Sequence, residues 1–236
     1  MRYCVISKLH LNMNEPEVRD SPSLLENQIR RRVFWSAYAI DRLVSWIYHI
    51  PCCLPDENIQ TKLFANLSDD EIKAWTPTPQ SGKDVESVPR RTQVSSSLQL
   101  IGARRIQSRI LHIMMRADYE ENFASRHDWR LHMLEDLDQW KMQLKPHSDL
   151  QPKGYTSEGW VGMTYNYTVL LLHRPTKENV NGIVGEKCVQ ACVELISVYR
   201  QYQKSRQTAQ LWPGVSSHSS HAFWSTALLT YGPLGI

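Results

Sequence analysis

One stretch limits the fold of this chain more than any other: residues 21–50 read as a single long helix. Ser21-Pro22-Ser23-Leu24-Leu25-Glu26 is a helix start. Pro22 suits a first turn, where its missing N–H costs nothing, and Ser23 with Glu26 has the spacing of a capping box. Apolar residues follow at Ile29, Val33, Phe34, Ala37, Ile40, Val44 and Ile47. They fall mostly three or four apart, which gathers them on one side of a helix and makes them its expected buried stripe. Pro51 and Pro55 close the segment. A helix this long has to bury its apolar side against other elements, so the partners must come from the rest of the chain.

Those partners also read as helices. Tyr3 to Met13 looks like the end of a helix. Cys52 to Phe64 reads as an extended loop, followed by a short helix opened by Ser68, with Asp69, Asp70 and Glu71 at its positive end. From about Val94, the residues Leu98, Ile101, Ile106, Ile110, Ile113 and Ala117 share one side. His127 to Lys145 steps through Leu131, Leu134, Leu137, Trp140 and Leu144 and stops at Pro146. Further helices are expected at Ser157 to His173, ending before Pro175, and at Glu186 to Lys204, with Val189, Cys192, Val193, Ile196 and Tyr199 apolar. The last, near Ser217 to Tyr231, carries Phe223, Trp224, Ala227, Leu228 and Tyr231. No segment alternates with period two. The fold class is all-α, a multi-helix array. Residues 76–97, rich in proline, serine and charge, form a flexible loop or linker between a part at 1–75 and a helical part at 98–236.

Composition supports a folded chain and excludes several functions. Of its 236 residues, 42% are hydrophobic and 22% charged, which is globular. There are 8 tryptophans and only 10 glycines, a balance that suits helix-on-helix packing. A net charge of +3 is too mild for a nucleic-acid surface. The cysteines Cys4, Cys52, Cys53, Cys188 and Cys192 are odd in number, and no two have zinc-knuckle spacing, so free thiols in a reducing compartment are expected. No stretch has the pattern of a secretory signal or the apolar length of a membrane span.

The long helix also carries a motif. Gln28-Ile29-Arg30-Arg31-Arg32-Val33-Phe34-Trp35-Ser36-Ala37-Tyr38-Ala39-Ile40-Asp41-Arg42 resembles the signature of the fungal-specific transcription factor domain, the middle homology region of zinc-cluster regulators. Pro51 and Pro55-Asp56-Glu57-Asn58-Ile59 match the family's proline and its aspartate turn. Leu134 to Leu144, containing Trp140, resembles its leucine-tryptophan helix. Tyr165 to Pro175, ending Leu172-His173-Arg174-Pro175, resembles its next helix, and Cys188 to Cys192 the one after. The matches follow in order along nearly the whole chain. Two departures affect loop geometry: His49-Ile50 precedes Pro51 where the family has a glycine, and Leu63-Phe64 replaces a Leu-Pro. The resemblance implies that the chain starts within the domain, incomplete at its N-terminus, with the six-cysteine finger, its coiled-coil linker and the first helices lying outside it.

Each noteworthy residue has a plain structural reading beside a sharper one. Arg30, Arg31 and Arg32 could contact phosphate, but three successive helical residues fan over about 200° or more at ~100° each, so packing is the better reading. Asp41 reads as an ion-pair partner for an arginine, with Arg174 a candidate, rather than as a catalytic carboxylate. His173 has no nucleophile motif beside it and reads as a core or interface histidine. His218 and His221 lack the further ligands a zinc site needs. Cys188 and Cys192, four apart, share a helix side and read as small apolar packing. Trp160, Tyr165 and Trp224 are candidates for lining an effector pocket between helices.

The resemblance implies a regulatory domain of a nuclear transcription factor, effector-responsive or inhibitory and without enzyme activity. It implies no cofactor in this chain, zinc in the missing finger, and DNA bound only through that finger. The implied partners are transcription-machinery or regulatory proteins and a small-molecule effector, with no membrane; a homodimer of the full-length protein is compatible with the family. The rival class is a non-enzymatic helical scaffold or protein-interaction domain from a truncated gene. An enzyme is disfavoured, since there is no phosphate-cradling glycine loop, nucleophile elbow or metal-ligand cluster.

Overall fold

In the computed structural model, described over residues 1–12, 15, 17–76, 85, 87, 92–119, 121–122, 124–144, 158–173 and 182–204, helix follows helix. The helices are α1 (Arg2–Ile6), α2 (Ser21–Tyr48), α3 (Asp69–Ala74), α4 (Ser95–Met114), α5 (His127–Leu144), α6 (Glu158–His173) and α7 (Ile183–Lys204), with short 3₁₀ turns at Asp56–Asn58 and Ala124–Arg126. No strand occurs among the described residues, so the fold is all-α. The chain divides into two compact units: Met1–Ser45 with Pro51–Ser108, and Trp46–Ile50 with Arg109–Ile236. The helix expected near Ser217 to Tyr231 lies outside the described residues, as does most of 76–97.

Helix ends follow local chemistry, and those of α1 and α2 show how they depart from expectation. α2 is capped three residues earlier than the Ser23–Glu26 spacing suggested. The Asp20 carboxylate accepts from the Ser23 N–H at 2.9 Å, and Ser23 Oγ accepts from the Asp20 N–H at 3.1 Å. This is a capping box with aspartate at the cap and serine three residues on, so Ser23 serves as its inner member. α1 stops at Ile6 instead of running to Met13. Lys8 adopts φ 54°, and the Leu9 and Lys8 N–H groups donate to Cys4 and Val5 carbonyls, which is a Schellman ending formed without glycine. The short helix α3 is as expected: Ser68 caps it, and Glu71 reaches back to the Ser68 N–H at 2.7 Å.

The buried side of α2 is a different one from that expected. Phe34 and Ile47 are buried, but Ile29, Val33, Ile40 and Val44 are 48%, 49%, 63% and 38% exposed. Besides Phe34, Ala39, Trp46 and Ile47, the residues that point inward are Leu24, Asn27, Gln28, Arg31, Trp35, Tyr38, Arg42 and Ser45, most of them three or four apart. Five of these eight are polar or charged. Hydrophobic periodicity picked the wrong stripe because this helix packs against loop backbone, which needs donors and acceptors facing it.

In the first unit Phe34, Trp35 and Tyr38 pack with Cys4, Leu54, Phe64 and Ile101, and the Trp35 ring meets Phe34 and Tyr38 edge-on at 5.4 and 4.9 Å. A second cluster joins Leu24 to Ala65, Leu67 and Ile72. In the second unit α6 packs along α7 and against α5. Leu134, Leu137 and Trp140 of α5 are buried as expected, whereas Leu131 is exposed. On α7 the buried side is Cys188, Ala191, Cys192 and Leu195, and Val193, expected inside, faces out. Ala117, expected on α4, lies beyond its end and is exposed.

Candidate functional site

The signature helix is best understood through what its inward polar side chains hold. Gln28 Oε1 accepts from the Ala65 N–H at 2.8 Å. Trp35 Nε1 donates to the Lys62 carbonyl at 2.8 Å, and Arg32 donates to the Leu67 carbonyl at 3.0 Å. Further along, Arg42 takes the Leu54 carbonyl at 2.6 Å. The chain between residues 53 and 67 is therefore laced onto α2, a run of loop backbone satisfied by side chains instead of by a sheet. Buried peptide groups must find partners, and here the helix supplies them.

The three successive arginines go to three different places, as their fanned geometry requires. Arg30 faces Glu26 one turn back, at 3.9 Å. Arg31, buried, makes a two-pronged pair with Glu15 through bonds of 2.7 Å each. Arg32 reaches Asp69 at 2.6 Å, and its guanidinium lies 6.0 Å from the centre of the Phe64 ring. Asp69 is the first residue of α3, and the Arg32 hydrogen bond holds its carboxyl below the usual range. Each arginine is occupied by a carboxylate of this chain.

Asp41 and Arg42 form the centre of the site. Arg42 has no exposed surface, yet every nitrogen of its fork is hydrogen-bonded. It donates to Ser108 Oγ at 2.9 Å, to Asp41 at 2.6 Å, to Asp56 at 2.8 Å and to Leu54 O, and its guanidinium sits 4.1 Å above the Tyr38 ring. Burial is the main cause that raises the Tyr38 hydroxyl pKa, with the Asp56 charge next. Asp41 also accepts from the Cys53 N–H at 3.2 and 3.3 Å. This ion pair joins sequence neighbours; Arg174, the candidate partner named from the sequence, lies outside the described residues. Asp56 belongs to the 3₁₀ turn just after Pro51 and Pro55, so the aspartate turn is bound to the signature helix through one guanidinium. His49, where the family has glycine nearby, stands at φ 52°, a left-handed conformation a glycine would adopt more readily.

In the second unit, Trp140 and Trp160 are both buried and meet edge-on at 6.4 Å. Tyr165 donates its hydroxyl to Asp138 at 2.5 Å, with the Lys141 ammonium 4.1 Å over its ring. Trp160 and Tyr165 thus turn toward α5 and are engaged in joining the two helices. Asn166 adds a bond from α6 to Glu194 of α7, at 2.8 Å. His173, at the end of α6, is buried. Loss of solvent is the main cause that lowers its pKa to about 4; nearby Arg130, Lys187 and His127 add to this. It is neutral at physiological pH. Arg174, Pro175, Trp224, His218 and His221 lie outside the described residues. Among the described residues, no three His, Cys, Asp or Glu side chains gather as metal ligands, and no helix is long and apolar enough to cross a membrane.

Sequence reasoning named Arg30, Arg31, Arg32, Phe34, Trp35, Asp41, Arg42, Pro51 and Asp56, and the structure brings most of them to one helix and the loop it holds. It missed Gln28, Tyr38 and Ser108. Their partners lie 37 residues away for Gln28 and 66 for Ser108, a separation that periodicity cannot register.

The family model of the fungal specific transcription factor domain matches residues 2–142. The chain belongs to that family. Its similarity to curated regulators extends further along the sequence. It is 25% identical over 165 residues to pyrimidine pathway regulatory protein 1 of Saccharomyces cerevisiae, covering 69% of this chain and 18% of the relative. It is 25% identical over 216 residues to the transcriptional activator protein acu-15 of Neurospora crassa, covering 85% and 21%. With protein STB5 of Saccharomyces cerevisiae it shares 26% identity over 194 residues, 77% and 25% of the two chains. The chain therefore spans about a fifth to a quarter of the length of these relatives. No solved structure matches it.

Proposed function

We propose that this chain sets the output of a nuclear fungal transcription factor without choosing its DNA site. The observation that carries the reading is the occupancy of the signature residues. Arg31, Arg32 and Arg42, which a DNA-reading surface would direct outward, are tied to Glu15, Asp69 and Asp41 within the domain. They build a helix-and-loop body rather than a base-reading element. Target recognition falls to a zinc-cluster finger elsewhere in the full-length protein, and zinc belongs to that finger. The same occupancy speaks against enzyme chemistry, because the buried acids, arginines and His173 serve packing.

A body of this kind regulates by having two packings whose balance a bound effector or partner protein shifts, which requires a different affinity for each. The partners are regulatory or transcription-machinery proteins. The scaffold alternative shares the same body but leaves output unchanged. The two are separated by fusing this chain, together with an activation segment, to an unrelated DNA-binding module with its own reporter site. The regulatory reading expects reporter output to differ from that of the module and activation segment alone, at equal occupancy of the site. Equal output at equal occupancy would support the inert scaffold. Occupancy that follows this chain to new sequences would overturn the division of labour.

A further inference from the structure

Two cysteines that the regulatory reading does not use lie beside its central ion pair. Cys52 and Cys53 are neighbours in the loop that follows α2, where the backbone bends at Cys53 and Leu54. Cys53 is exposed and Cys52 partly so, whereas Cys4, Cys188 and Cys192 are buried. The residues around the pair are fixed: the Cys53 N–H donates to Asp41, and the Leu54 carbonyl accepts from Arg42. The two thiols are thus carried by adjacent residues, one exposed and one partly so, on a loop held at the Cys53 N–H and the Leu54 carbonyl.

We propose that Cys52 and Cys53 form a dithiol site for trivalent arsenic or antimony compounds, which it takes as a cyclic dithiolate. Two sulfur ligands on one short segment suit a soft, trivalent centre, since the second sulfur is delivered at high effective concentration once the first has bound. The reaction with an arsenoxide balances without an oxidant. The As=O bond breaks, two As–S bonds form, and both thiol protons leave with the oxygen as one water; arsenic stays trivalent. Oxidation by peroxide is a poorer fit. It needs a thiolate, and the hydrogen bond with Asp41, followed by partial burial and the Asp41 charge, raises the Cys53 pKa. Arsenic uptake also passes through the thiolate, but its equilibrium consumes two protonated thiols and releases water, so a raised thiol pKa slows binding without weakening it.

The second close pair, Cys188 and Cys192, is the natural competitor. Burial on α7 raises both thiol pKa values, that of Cys188 to about 11. Their sulfurs are reached only when the helix packing opens.

The test uses the full chain in native buffer with phenylarsine oxide as the probe. One arsenical per chain is expected by intact mass, retained against excess 2-mercaptoethanol and removed by 2,3-dimercaptopropanol. Proteolysis should place the adduct on the peptide that contains residues 52 and 53. Cys52→Ser and Cys53→Ser should each lower retention at least tenfold, because a single sulfur holds arsenic no better than the competing monothiol. Neither position is in the core and serine is close to cysteine in size, so these variants are expected to fold, and unchanged tryptophan fluorescence checks this. No uptake by the native chain, an adduct mapped to Cys188 and Cys192, or retention that survives either serine variant would each overturn the proposal.

Discussion

Arg42→Met removes the centre of the helix-and-loop clamp while keeping the size and most of the apolar stem of the side chain. Four hydrogen bonds disappear, to Ser108, Asp41, Asp56 and the Leu54 carbonyl. The Asp56 contact weighs least, because that carboxylate is 38% exposed and water can replace its partner. Asp41 weighs most: its side chain is 8% exposed, and it would keep only the Cys53 N–H and thiol. Removing one member of a buried ion pair costs about 3–5 kcal/mol, chiefly through the charge left behind. Arg42→Met should fall in that range, and adding Asp41→Asn should recover roughly 1–2 kcal/mol by neutralising the stranded carboxylate. Two compact units need not unfold together, so the assay should be local. Native-state hydrogen exchange of α2 peptides reports the opening free energy of that helix in each variant. A loss under about 1 kcal/mol for Arg42→Met, or no recovery in the double variant, would refute the argument that this pair anchors the loop.

Two further perturbations follow from burial. Trp35→Ala should lower the urea midpoint strongly, by about 3–5 kcal/mol in stability, while Ile40→Ala, on the exposed stripe of α2, should stay within roughly 0.5 kcal/mol; comparable losses would mean that the helix is turned the other way. His173 binds a proton less readily when folded, with its pKa lowered from 6.5 to about 4. The unfolded chain therefore takes up more protons between those values, so stability is full above about pH 6.5 and falls as acid is added down to pH 4, by up to about 3 kcal/mol. His173→Leu should flatten that part of the urea-midpoint profile against pH, and an unchanged slope would contradict the burial argument.

The long helix, the Ser68 cap and the order of the family motifs were legible in the sequence because each depends on neighbours a few residues apart. The side of α2 that packs was not. Ile29, Val33 and Ile40 form a better apolar stripe than Gln28, Arg31 and Arg42, but the loop from residue 53 to 67 requires hydrogen-bonding partners, and tertiary need overrides hydrophobic pattern there. The same cause hid the clamp. Asp41 pairs with an arginine as the sequence suggests, here its neighbour Arg42, but the fork's other contacts, Asp56 and Ser108, are 14 and 66 residues away. The arginine run could be interpreted from angles alone, since three consecutive helical positions cannot serve one flat surface. At Lys8 and His49 the backbone takes left-handed turns on residues whose identity gives no warning of it.

The central claim separates output from address, and the most direct measurement records both in one experiment. In the full-length protein, promoter occupancy by chromatin immunoprecipitation and transcript level from the same promoter are measured for wild type and Arg42→Met, at matched protein abundance because a destabilised variant is also degraded faster. The account predicts a clear change in transcript, in either direction, with occupancy largely unchanged. Occupancy lost in step with transcript, or a transcript level unmoved while α2 is shown to be open, would contradict it.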